Sequence, residues 1–306
     1  MLTSRIAGRD WRPVVGMCDG YRYADFIAQS AELMRRYPTL CRKCIGHSVL
    51  GKSMDCFVIG NGPEQLHMNG AVHANEWITT PLLLRFMEEL LECSIAQLSE
   101  EITCLLQRVT LWIVPMVNPD GVNLAQDGIG IAEKDWRSCL LEWNGGRDDF
   151  TGWKANIRGV DLNDQFPAYW ETERERRQVA GPASQDYSGA GPLSEPEARA
   201  LAELTERVDF SRALSLHTQG REIYWNYRDH EPPQAEELAD RMAAVSGYRA
   251  VKLSGSDAGY KDWFILKFRR PGFTVEAGEG KNPLPPEQFA SIYEDLASLL
   301  LEFIRG

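Results

Sequence analysis

The feature that most constrains this chain is a set of short, branched apolar runs, each stopped abruptly by polar or turn-forming residues. LHMNGAVH (66–73), VTLWIVPMV (109–117), ALSLH (213–217) and FTVEAG (273–278) are too short for core helices and too apolar for surface loops, so they read as buried strands. Asn118-Pro119-Asp120-Gly121 breaks the second run as a turn would. Helix-period stretches lie between and after them: 21–38, stopped by Pro38; 81–91; 194–208, where Ser194 and Glu197 have capping-box spacing; and 286–305. IGHSVLGKSMDCFVIGNG (45–62) reads as a hairpin turning near Gly51 and Lys52. Strands alternating with helices predict a mixed α/β sheet covered on both faces, with ligands bound beyond the carboxyl ends of strands. The expected organisation is an N-terminal extension over 1–20 and one catalytic domain over 21–306. Its loop-rich stretch 121–191 is long enough to imply functional loops.

Composition excludes more than it assigns. A formal charge of −11 over 306 residues argues against nucleic acid and anionic membranes, which demand concentrated Lys and Arg. No run approaches the roughly 20 apolar residues that span a bilayer. The opening MLTSRIAGRDWRPVV lacks a signal-like apolar stretch, and the seven cysteines fall between 18 and 139 as reduced thiols would, so a cytoplasmic protein is expected.

His73 and Glu76 stand three apart just after a strand, able to turn an imidazole and a carboxylate toward one point. Catalytic zinc takes three such ligands and keeps a fourth position for water. Of five histidines, His217 is the one that ends a strand as His73 does. His-x-x-Glu alone is common, and a surface loop with a capping carboxylate stays open at this point. Cys41-x-x-Cys44 with His47 lacks a second pair at finger spacing, while His67, inside a strand, and His230, in RDHEPP, read as local hydrogen-bonding residues.

Five motifs in order, NGAVHANEWITTP, VNPDG, RGVDLN, SLH, and KDWF followed by FTVEAG, resemble the zinc carboxypeptidase family across residues 69–278. The resemblance implies a single α/β domain with a mixed, mostly eight-stranded sheet, and one Zn²⁺ held by His73, Glu76 and His217. It also implies that Glu276 is the general base and acid for hydrolysis of a peptide bond by metal-activated water. The cation for the developing oxyanion is Lys154 by alignment or Arg158 nearby, and the sequence leaves both open.

Relatives follow the asparagine of RGVDLN with an arginine that grips the substrate's carboxylate; here Asn163 is followed by Asp164. Two carboxylates about 4 Å apart repel by roughly 1 kcal/mol even in water, so ordinary C-terminal trimming is disfavoured. The surrounding segments resemble the bacterial branch that includes γ-D-glutamyl-L-diamino acid endopeptidases, which cut cell-wall (murein) peptides before meso-diaminopimelate. On that reading Lys261 takes the distal carboxylate of the leaving residue, Asp164 its ammonium, and Tyr260 donates a phenol hydrogen bond. The charge run ETERERR (171–177) reads as an exposed helix face. The competing readings are an ordinary metallocarboxypeptidase and a zinc deacylase of N-acyl amino acids. Oligomeric state is not encoded in any of these motifs.

Overall fold

The computed structural model describes residues 11–17, 19–131 and 134–306, so residues 1–10 and Cys18 of the expected extension lie outside the described residues. One eight-stranded sheet organises the chain. Its strands are β1 (Cys41–His47), β2 (Ser53–Gly60), β3 (Glu64–Gly70), β4 (Val109–Val114), β5 (Arg212–His217), β6 (Glu222–Tyr224), β7 (Arg249–Val251) and β8 (Gly272–Glu276). They lie in the order β1-β2-β4-β3-β5-β8-β6-β7. The central four, β4, β3, β5 and β8, are parallel, and antiparallel pairings flank them. All four apolar runs became these central strands, because only a strand buried on both faces tolerates such continuous apolarity. The sheet is mixed α/β, as expected.

Side chains alternate along each strand and divide the core in two. Leu66, Met68, Leu111, Ile113, Leu214, Leu216, Phe273 and Val275 face one side, where α1 (Tyr23–Arg36), α2 (Thr79–Ile95), α3 (Glu100–Arg108), α8 (Pro233–Ser246) and α10 (Phe289–Arg305) cover them. α7 (Pro196–Val208) and α9 (Tyr260–Phe268) cover the other side. That second face carries a buried polar chain: Ser215 Oγ donates to Asn69 Oδ1 at 2.9 Å, and Asn69 Nδ2 lies 3.2 Å from His67 Nε2. His67 Nδ1 in turn meets the Trp112 carbonyl at 3.1 Å, and burial pushes its pKa down to about 3. His67 is therefore a satisfied neutral core residue.

Two local expectations change. Ser194 does not cap α7: the N-cap is Glu195, Ser194 Oγ donates to Gln165 Oε1, and buried Glu197 accepts from the Val49 amide of the β1–β2 turn. A tertiary contact takes the carboxylate that the capping box would have used. The stretch 121–191 is also less irregular than expected, since it contains α4 (Pro119–Asp127), α5 (Lys134–Trp143) and α6 (Trp170–Arg177) over a small core of Leu124, Leu140, Phe150 and Trp153.

The described part of residues 11–20 packs on the domain. Val15 is buried, and the amides of Val14 and Val15 donate to the two carboxylate oxygens of buried Glu88 on α2 at 2.7 and 3.0 Å. No helix among the described residues is long and apolar enough to cross a membrane.

Candidate active site

The carboxyl ends of β3, β5 and β8 lie side by side, and the site is built there. His73 follows β3 by three residues, a one-turn 3₁₀ helix (Ala74–Glu76) folds Glu76 back toward it, and His217 ends β5. The loop is strapped on both flanks. The amides of Val117 and Asn118 donate to the carbonyls of Gly70 and Ala71, Asn118 Nδ2 donates to the carbonyls of Val72 and Ala155, and the Ala74 amide donates to the Lys154 carbonyl. Asn118 Oδ1 meanwhile caps α4 through the Gly121 amide. A Cβ on Gly121 would sit 2.6 Å from both the Ala155 carbonyl oxygen and Asn118 Oδ1, so this close approach requires glycine. The VNPDG motif thus holds the metal loop in place.

The geometry of the triad fits a metal. His73 Nδ1 lies 2.9 Å from Glu76 Oε1, His217 Nδ1 lies 2.9 Å from Glu76 Oε2, and the two Nδ1 atoms are 3.1 Å apart. Tetrahedral zinc with ligands at about 2.0–2.1 Å holds neighbouring donors about 3.3 Å apart, close to this spacing. Two facing imidazole nitrogens and a carboxylate form a donor set matched to zinc, and it is the one such group of three among the described residues.

Further residues orient these ligands. Asp161 Oδ1 lies 3.2 Å from His73 Nε2 and its Oδ2 lies 3.3 Å from Lys154 Nζ. Asn282 Nδ2 donates to Glu76 Oε1 at 3.3 Å and to the Thr218 carbonyl at 2.8 Å. Asp161 stands inside the RGVDLN motif, which was its one signal in the sequence, and nothing local to Asn282 signals its role. Burial and Lys154 disfavour a charged His73, yet the carboxylates of Glu76 and Asp161 outweigh both and raise it to about 9. Metal capture therefore competes with a proton there.

Glu276 ends β8 directly opposite His217 in the ladder. Desolvation, then the Glu76 carboxylate, pushes its carboxyl up to about 8. His73, Lys154 and Glu276 share the wall of a cavity of about 530 Å³ with Asn163, Arg176, Arg177 and Lys261. Burial would lower the Lys154 pKa, but Asp161 and Glu76 raise it, so the ammonium stays charged. Arg158 does not join this wall: it is half-exposed and lies 3.6 Å from Glu195.

Three substrate-side expectations are corrected. Tyr260 is buried in the second core with its hydroxyl 2.9 Å from Thr205 Oγ1, so its phenol has no access to the cavity. Asp164 is buried behind the wall and accepts two hydrogen bonds from Arg177, Nε at 2.8 Å and Nη2 at 3.0 Å. ETERERR is not simply a solvated face, because Glu173 is buried and Arg176 and Arg177 reach the cavity. Polarity alone made that run look exposed. Lys261 does reach the cavity, although its ammonium already donates to the Asn226 carbonyl at 2.7 Å and to Asp262 Oδ1 at 2.5 Å.

Comparison with known proteins agrees with this geometry. The sequence profile of the zinc carboxypeptidases matches residues 27–298. The chain is 45% identical over 297 residues to γ-D-glutamyl-L-diamino acid endopeptidase 1 of Lysinibacillus sphaericus, covering 95% of this chain and 74% of that protein. It is 41% identical to the uncharacterized protein YqgT of Bacillus subtilis (strain 168), covering 85% and 70%. The crystal structure of thrombin activatable fibrinolysis inhibitor superposes with a TM-score of 0.76 at 19% identity, over 99% of this chain and 79% of that one. With the profile match spanning most of its length, the chain belongs to the zinc carboxypeptidase family and is a hydrolase of the zinc peptidase class.

Proposed function

We propose that this protein hydrolyses the bond between the side-chain carboxyl of D-glutamate and meso-diaminopimelate in murein peptides. The observation that carries the reading is the mixed charge of the cavity beside His73 and Glu276. Lys154, Arg176, Arg177 and Lys261 line it together with Glu173, Asp186 and Asp262. Such a wall suits a leaving residue bearing both carboxylates and an ammonium, which diaminopimelate is, better than an apolar side chain. The name of the Lysinibacillus sphaericus relative supports the same bond. The six described cysteines are all free, in keeping with action in a reducing compartment.

His73, Glu76 and His217 would hold the zinc, which when bound supplies a Lewis acid and lowers the pKa of water in its open position. Glu276 accepts the proton of the attacking water and returns it to the departing nitrogen as the C–N bond breaks. Its elevated pKa lets it hold a proton near neutrality, and a metal cation held by the triad would favour its carboxylate form. Lys154, charged and on the same wall, offsets the charge developing on the carbonyl oxygen. Arg177 replaces the family's missing arginine. Its contacts with Asp164, with Glu173 (2.8 Å from Nε) and with Asp186 (2.9 Å from Nη1) engage three of five N–H donors, which leaves one on each terminal nitrogen for the leaving residue's carboxylate beside Asn163.

The same Arg177–Asn163 pair favours a second reading, removal of ordinary C-terminal residues. Incubation with L-Ala-γ-D-Glu-meso-diaminopimelate and with an α-linked peptide of equal length separates them. Free diaminopimelate from the first and little product from the second are expected. An intact tripeptide beside a trimmed α-peptide would overturn the cell-wall reading.

A further inference from the structure

A second cavity, of about 680 Å³, lies one residue away from the triad. It shares no lining residue with the first cavity. Asn282, which donates to Glu76 Oε1, lines it, and so does Gly152, two residues before the Lys154 that lines the first. Buried Trp153 stands between those two residues in the chain. A substrate bond held at the triad therefore has one cavity for its leaving residue and another for its acyl group.

The second cavity is cationic in a protein of net charge −11. Arg147 and Lys281 line it, and its one carboxylate, Asp149, is already bonded through Oδ1 to the amide and hydroxyl of Thr151. Arg147 is anchored by Nε on the Asn144 carbonyl at 3.1 Å, which leaves its terminal nitrogens free to bind. Arg147 is near enough to Asp149 to help lower its pKa, and neither cation has an ion-pair contact within 4 Å among the described residues. We propose that this cavity is the acyl-side subsite and that Lys281 and Arg147 bind the free α-carboxylate of a γ-linked glutamyl residue.

The inference rests on the cell-wall reading above and adds its acyl half. A peptide bond made through the glutamate side chain leaves the α-carboxylate branching from the chain near the scissile carbonyl. An anion is thus delivered where the protein has two cations with donors to spare. Partly exposed charges of this kind discriminate by about tenfold rather than a thousandfold.

The test compares L-Ala-γ-D-Glu-meso-diaminopimelate with the tripeptide whose glutamyl α-carboxylate is a carboxamide. The bond cut is the same in both. The wild-type protein is expected to prefer the carboxylate by about tenfold in kcat/KM, mainly through KM. Arg147→Ala with Lys281→Ala should reduce that ratio to below about twofold, while Arg147→Lys with Lys281→Arg should keep most of it. Equal wild-type rates on the two peptides, or a full preference surviving the double alanine variant, would overturn the subsite and leave the cell-wall reading intact. Cleavage of neither peptide would overturn that reading and the subsite with it.

Discussion

Glu276 and Arg177 reach the same cavity by different routes, and only the first was legible. Glu276 ends an apolar strand, so its position follows from the strand itself. The same holds for His217, and nearly so for His73. Arg177 lies in a run of charges whose local pattern says only helix and solvent. Glu173, one helical turn earlier, is the part of its surroundings that the helix period encodes; Asp164, thirteen residues earlier, and Asp186 complete the set, and no sequence period encodes those two contacts. Asp164 was read as the ammonium ligand because the residue it replaces touches substrate in relatives, whereas here it touches Arg177. The two sites predict different kinetic defects. Glu276→Gln should lower kcat on the tripeptide by about 10²–10⁴ with zinc content unchanged. Arg177→Ala should act chiefly through KM, by about tenfold or more, and Asp164→Asn should share that KM defect more weakly. Steady-state kinetics with metal analysis checks the split, and an Arg177→Ala defect confined to kcat would contradict its placement.

The four apolar strands and the four helix-period stretches lie within a few residues of their expected bounds, while α3, α8, α9, β6 and β7 had no such signal, and the start of α7 shows where local reasoning stops. Ser194 and Glu197 had the right spacing for a capping box. The Val49 amide and a buried position claimed Glu197 instead. Burial, followed by Asp120 and Glu195, pushes the Glu197 carboxyl up to about 7 from its ordinary 4.5. The folded protein then binds this proton more tightly than the unfolded chain. Stability from this group is full below about pH 4.5 and is lost as pH rises to about 7, by on the order of 3 kcal/mol. Glu197→Gln keeps an acceptor for Val49 and removes the titration. Its Tm relative to wild type should therefore rise between pH 5 and pH 8 in thermal melts, and a difference independent of pH would exclude this role. Trp153 fixes the neighbouring element in a simpler way, being fully buried with its indole N–H on the Asn156 carbonyl at 3.1 Å.

Across the whole molecule, the mixed sheet was readable because its central strands are continuous apolar runs. Its order was not, since β6 and β7 are three residues each and pair at the far edge. The sheet brings the ends of three non-consecutive strands together, and the loops of 121–191 add Lys154, Asn163, Arg176 and Arg177 around them. Those cavity walls depend on contacts between distant segments, which is why the metal ligands were plainer in the sequence than the substrate's surroundings. The measurement that tests the central claim most directly is the rate of diaminopimelate release from L-Ala-γ-D-Glu-meso-diaminopimelate as zinc is returned to chelated protein. The rate should rise in proportion to zinc, level off at one ion per chain, and stay near zero for His217→Ala. Hydrolysis that survives chelation, or that His217→Ala retains in full, would contradict the account.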